Sequence, residues 1–270
     1  MANTKKYQIL LTNDDSIHSP GLWAAAEALA PLGFVHVVAP REQFTSTGRS
    51  LPIDSDGVFQ PQTLTVHGKE WTVYGVGASP AQSVLHGVLE IIQGKPDLVV
   101  SGINYGENVG SGVTVSGTVG AALEAATLGI PALAMSLQTV QSDHFSLSNK
   151  VDFSVAAYFT HLFAKKMLEV HLPFDVDVLK VDVPSSATPK TPWVITRQSR
   201  ERYYHPKPSL RKSLNEPGHM RYEIRIDLDR PEEGSDLKTV LIDQLVSVTP
   251  LSFDLTSRVD PHTLRTLLSD

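Results

Sequence analysis

Apolar runs and polar interruptions alternate along the first half of the chain with the spacings of strands and helices. Tyr7 to Thr12 is a short β-rich apolar run and predicts a buried strand. The polar turn formers Asn13-Asp14-Asp15-Ser16 end it, and Pro20-Gly21 follow. Leu22 to Ala30, rich in alanine and leucine, predicts a helix that Pro31-Leu32-Gly33 stops. Phe34 to Ala39 is a second strand. Strand, helix and strand joined by short links make a βαβ unit and imply a parallel sheet. The pattern then repeats: a strand over Trp71–Val76, a helix over Ser79–Ile92 with Ser79-Pro80 at N-cap and N1, and a strand over Asp97–Ser101. A helix over Val115–Leu128, closed by Gly129, and a strand over Ile130–Ser136 follow. Such alternation predicts a doubly wound α/β domain.

Beyond Ser136 the periodicity weakens. Phe153–Val170 has helical spacing, and Val176–Val183 and Thr191–Arg197 read as strands. Tyr203–Arg221, rich in Pro, Lys and Arg, reads as a long loop or arm. Arg221–Asp227 and Gln244–Thr249 alternate and suggest a small antiparallel β region. No repeat of solenoid type and no low-complexity tract interrupts the chain, so all 270 residues are expected to form a single domain. Within it, residues 1–137 would be the core and about 190–250 the β extension.

Composition narrows the function classes. The formal charge of −6 supplies no overall basic field for a nucleic-acid polymer. Cysteine is absent, which excludes disulfides, Cys-ligated zinc, iron–sulfur clusters and thiol nucleophiles. No apolar run approaches the roughly 20 residues of a membrane span. The stretch Met1–Lys6 runs through a short apolar segment straight into the Asp pair, which is not a signal-peptide pattern, so a cytoplasmic enzyme is expected.

In an open parallel sheet, ligands bind beyond the carboxyl ends of the strands. Three polar loops follow strand ends there: Asn13-Asp14-Asp15, the hydroxyl-rich Pro40–Ser50, and the glycine-rich Ser101–Gly112 that contains Asn104. Two adjacent carboxylates raise one another's pKa unless a counter-charge is present. With oxygen donors alone, a hard cation such as Mg²⁺, Mn²⁺ or Ca²⁺ suits the set. The plainer alternative is that Asp14 caps the next helix while Asp15 faces water. Ser116-Gly117-Thr118 lead into a helix whose N-terminus, with the glycine amides, would favour a phosphate; an ordinary capped helix is the alternative. The chain has no P-loop, no G-x-G-x-x-G after its first strand, no G-x-S-x-G elbow and no H-E-x-x-H pair.

These motifs, in this order, resemble the SurE family of stationary-phase survival 5′-nucleotidases. The likeness rests on Leu10–Gly21, Val37–Pro40 with its Ser/Thr-Gly-rich loop, Pro96–Asn104, and Ser116–Val119 with Leu128–Ser136, and echoes at Val248–Leu251 and Asp254–Thr256. The resemblance implies a Rossmann-like, mostly parallel core with a C-terminal β-hairpin or arm used to build a homodimer or homotetramer. It also implies a phosphatase of nucleoside 5′-monophosphates dependent on one divalent cation per subunit, magnesium or manganese. By position the metal ligands fall on Asp14, Asp15, Asn104 and a hydroxyl at Thr45, or at Ser46 after a one-residue shift. Asp15, with Asp14, is the expected catalytic carboxylate, orienting or deprotonating the attacking water. Asn13, Asn104, Ser116, Gly117 and Thr118 would hold the phosphate. A broader phosphomonoesterase or exopolyphosphatase, and a nucleotide-binding protein without turnover, are the alternatives.

This chain departs from the family pattern at three places. Ser16 stands where glycine usually follows the Asp pair, Gln82 where the family has a carboxylate, and Ser111-Gly112-Val113 replace an acidic pair. The cations Arg197, Arg200, Arg202, Lys207, Arg211 and Lys212 mark the arm either as a guide for an anionic substrate or as a solvated loop.

Overall fold

A computed structural model describes residues 6–66, 68–144, 146–226 and 232–269. The strongest apolar runs form the middle of a nine-stranded sheet of order β3-β4-β2-β1-β5-β6-β7-β11-β8. Its central strands are β1 (Tyr7–Thr12), β2 (Gly33–Pro40), β5 (Leu98–Tyr105), β6 (Ala132–Leu137) and β7 (Val178–Val183). β1 pairs in parallel with both β2 and β5, and β6 continues the parallel run to β7. The doubly wound expectation is borne out.

Alternate residues of these strands feed opposite faces. Ile9 and Leu11 pack with helix α1 (Pro20–Leu29) and helix α4 (Ser154–Glu169), whereas Leu10 packs with α2 (Pro80–His86) and α3 (Gly117–Thr127). Both faces are covered, which is why the strands read as continuous apolar runs. From β1 the chain winds outward through β2 to β4 (Lys69–Val76), returns to β5 on the other side of β1, and winds outward again. The direction therefore reverses between β1 and β5.

Ser79 caps α2 as predicted, in a reciprocal capping box with Gln82, and the helix continues as a π-helical turn over Gly87–Ile92. Gly129 takes a positive φ of 69° just past α3, as its place in the pattern requires.

Two expectations need correction, and one strand went unread. β3 (Phe59–Val66) was not apparent as a strand; it is a half-exposed edge strand carrying Pro61, and an edge is where proline is tolerated. The arm is not all loop: β9 (Tyr204–Lys207) pairs antiparallel with β10 (Arg221–Ile224), Pro206 lying opposite Tyr222. Asp227, the expected end of that strand, lies outside the described residues. The last strand, β11 (Val246–Leu251), does not belong to a small separate sheet. It lies in the main sheet, antiparallel to β7 and parallel to the short β8 (Trp193–Ile195). Two further helices, α5 (Asp236–Leu241) and α6 (Pro261–Leu267), gave no clear periodic signal, and α6 buries none of its residues. Among the described residues no helix is long and apolar enough to cross a membrane.

Candidate active site

Asp14 and Asp15 leave the end of β1 at the point where the winding reverses, the usual place for a ligand crevice in such sheets. Both carboxylates are buried, with 4% and 2% of their surface exposed. Asp14 Oδ1 accepts a 2.5 Å hydrogen bond from Thr118 Oγ1, and the nearby backbone amides of Gly117 and Thr118 favour the charged form of this carboxylate. Helix α3 thus turns its N-terminus, whose hydroxyl cap is Ser116 (Oγ accepts from Val119 N, 3.1 Å), toward Asp14. That approach requires glycine: a Cβ on Gly117 would sit 2.7 Å from Asp14 Cβ.

Asp15 is held differently. Its Oδ2 accepts from Tyr105 N at 3.1 Å and its Oδ1 from Gln43 Nε2 at 2.9 Å. Gln43 also donates to His144 O at 2.9 Å, so one amide ties the second loop to both Asp15 and the segment after β6. The second loop is further pinned by Phe44 N, which donates to Asp14 O at 2.7 Å. Thr45 and Ser46, next along, have exposed side chains, whereas the Thr47 hydroxyl is engaged with Phe44 O at 2.8 Å. β5 runs further than its sequence pattern indicates and carries Asn104 as its last residue but one, before Tyr105. Asn104 Nδ2 donates to Gly106 O (2.7 Å) and Tyr105 O (3.2 Å), which commits the amide nitrogen to the backbone and not the oxygen.

Electrostatically the two carboxylates lack a counterweight. Burial raises Asp14 to about 6, and burial together with the Asp14 charge raises Asp15 well above the usual carboxylate range. Among the described residues no cationic side chain pairs with either, and no three His, Cys, Asp or Glu side chains gather as a metal site. The donor set is of another kind, two carboxylates and the Asn104 amide oxygen, while the Thr45 and Ser46 hydroxyls lie exposed on the loop that Gln43 and Phe44 tie to the pair. Asn13 adds a buried Oδ1 without a partner, while its Nδ2 donates to Ser16 O at 2.9 Å. All are hard oxygens around unneutralised negative charge, and they fit a small divalent cation.

Of the residues singled out from the sequence, the structure joins Asp14 directly to Gly117 and Thr118, and sets Asp15 beside Asn104 through Tyr105 N. Thr118 is fully buried with its hydroxyl committed to Asp14. Gln82, in place of the family's carboxylate, is spent on structure: its side chain accepts from Ser79 N and Ser55 Oγ and donates to Pro52 O. The arm brings tyrosines beside the site. Tyr222 Oη meets His144 Nδ1 at 3.1 Å and Tyr204 Oη donates to Glu107 O at 3.0 Å, while Arg200, Arg202, Arg211 and Lys212 are exposed. Gln43, Tyr105 and His144 escaped the sequence reading. Only Gln43 carried a signal, as a polar residue inside the hydroxyl-rich loop.

Fold and site together define a doubly wound α/β protein with a pair of buried carboxylates, Asp14 and Asp15, at its switch point. The model of the family described as survival protein SurE matches residues 9–205. The chain is 41% identical over 263 residues to the 5′-nucleotidase SurE of Thermococcus gammatolerans, covering 97% of this chain and 96% of that one. It is 43% identical over 255 residues to the protein of that name from Archaeoglobus fulgidus, covering 94% of each. Among solved structures, the SurE protein from Aquifex aeolicus superposes with a TM-score of 0.73 at 32% identity, covering 97% of this chain and 100% of that one. The chain belongs to the SurE family.

Proposed function

We propose that this protein is a divalent-metal-dependent phosphatase that hydrolyses nucleoside 5′-monophosphates to nucleoside and phosphate. The observation that carries the reading is the pair of buried carboxylates, Asp14 and Asp15, without a cationic partner beside the N-terminus of α3. The names borne by relatives from Thermococcus and Archaeoglobus support it. Asp14, Asp15, Asn104 and Thr45 would hold one Mg²⁺ or Mn²⁺ per subunit, which when bound neutralises phosphoryl charge and lowers the pKa of a water.

The remaining work falls to the chain itself. Ser116 and Gly117, at the helix N-terminus, with Asn13 and Asn104, bind the phosphate oxygens. Thr118 acts from behind by fixing Asp14. Asp15, whose two oxygens are oriented by Gln43 and Tyr105 N, aligns the attacking water and takes its proton. The water oxygen forms the new P–O bond, the ester P–O5′ bond breaks, and the proton taken by Asp15 passes to O5′, so the nucleoside leaves as its 5′-hydroxyl. Assembly as a homodimer or homotetramer through the arm belongs to the same reading, with no nucleic-acid polymer or membrane as partner.

The test is phosphate release from a panel of nucleoside 5′-monophosphates. Chelated protein should release none, added Mg²⁺ or Mn²⁺ should restore turnover, and Asp15→Asn should lower kcat by at least about 10². Undiminished release by either the chelated protein or the variant would refute the reading.

A further inference from the structure

Behind the glycine-rich loop lies a group of charges that the reaction above does not use. Lys180, Asp182 and Asp236 are each 0% exposed. Lys180 Nζ lies 2.5 Å from Asp182 Oδ2 and 3.1 Å from Asp236 Oδ2. Lys180 and Asp182 sit two apart on β7, so both project from the same face of the strand. Three charges sealed from water are costly, and an apolar trio of similar volume would hold a sheet and a helix together at least as well. Being sealed, they cannot touch a substrate.

What they do touch is the backbone of the loop that follows Asn104. Asp182 Oδ1 accepts from Asn108 N at 2.7 Å, and Asp236 Oδ2 from Gly110 N at 3.2 Å. The Asn108 side chain adds a bond to Ser136 Oγ on β6, at 2.8 Å. Gly106 and Gly110 have φ of 99° and 62°, conformations open to glycine and correspondingly expensive in entropy to hold. Charge-assisted acceptors on a central strand and on α5 oppose that freedom. Asp236 Oδ1 also accepts from Ser199 N at 2.9 Å, so the root of the arm hangs from the same anchor.

We propose that Lys180, Asp182 and Asp236 are positioning residues: they hold the 106–112 loop, whose Gly106 O accepts from the Asn104 amide at the end of β5, in the pose in which Asn104 can join Asp14 and Asp15 around the cation. This rests on the phosphatase reading for its consequence in turnover, but the pose itself is measurable without turnover.

The experiment compares the full-length protein with Lys180→Met/Asp182→Leu, which replaces that ion pair by apolar volume, removes the Asn108 acceptor and leaves Asp236 to its backbone donors Gly110 N, Ser199 N and Leu237 N. Asp182→Asn, which keeps a neutral acceptor, is the conservative variant. Amide hydrogen exchange of peptides covering 104–112, Mn²⁺ binding without substrate, and kcat and KM are measured on each. The double variant should exchange faster in that loop alone, bind Mn²⁺ about 10-fold more weakly and lose about 10-fold in kcat, with KM moving less. Asp182→Asn should fall between it and the wild type. Wild-type loop exchange and Mn²⁺ affinity in a folded double variant would overturn the proposal, as would faster exchange spread evenly over the chain. Failure of both variants to fold would reduce the triad to a folding element and overturn it equally. A wild-type protein without metal-dependent phosphate release would instead sink the phosphatase reading, leaving the exchange result to decide the loop's anchor.

Discussion

Ser16 follows the carboxylate pair with φ at 93°, a conformation that suits glycine and strains a residue bearing a Cβ. Its oxygen atoms partly compensate, Oγ accepting from His18 N at 3.3 Å and the carbonyl from Asn13 Nδ2 and Ser19 N. Relief of the strain should outweigh those bonds. We expect Ser16→Gly to raise stability by about 1 kcal/mol in denaturant unfolding. The neighbouring carboxylates give a second prediction. Since burial lifts Asp14 to about 6 from 3.8, the metal-free native state binds its proton more tightly than the unfolded chain. That contribution favours the native state at low pH and is lost as pH rises through about 4 to 6. With chelator present, Asp14→Asn should therefore gain stability relative to wild type across that window, measured as the difference in denaturant midpoints. A constant difference would contradict the raised value. Asp14, Asp15 and Asn104 were legible because their chemistry is unusual at strand ends. Gln43 and Tyr105 were not: the first is an ordinary loop amide until Asp15 is in front of it, and the second contributes its backbone N–H.

Among the elements, α3 ties fold to site most closely. The Gly129 after its end was readable from local pattern, whereas its start was read at Val115 and the structure makes Ser116 the N-cap. Its target was not readable, because Asp14 is more than a hundred residues away. Gly117→Ala should push the helix N-terminus off Asp14, and a shift near 1 Å is expected to cost about 10² in kcat. Steady-state kinetics would check it, with circular dichroism showing that the helices persist. β3 and the arm strands were hard to read because each carries proline or charge on an edge, where one face meets water and the apolar period fades.

For the molecule as a whole, the reversal of winding between β1 and β5 gathers three loops and leaves two buried negative charges near one another. A cation that binds only this gathered state must stabilise it. At a Mn²⁺ concentration 100 times Kd the gain should be about 2.7 kcal/mol, seen as a rise in melting temperature that chelator reverses. The rise should vanish in Asp15→Asn if that carboxylate is a ligand. Metal-independent melting of the wild type would argue against a cation site.

Local pattern alone determined the alternating strands and helices of the first half, the N-cap of α2, the glycine that closes α3, and the polar residues that end β1. Those features depend on burial period and on hydrogen bonds between near neighbours, and both are written in consecutive residues. Tertiary structure decided the rest: that β11 enters the main sheet beside β7, that Gln43 reaches Asp15, and that Lys180 with two aspartates braces the loop of Asn104. Each of these depends on which distant segments share a neighbour, and a buried charge or an edge strand acquires its meaning only from the partner the fold supplies.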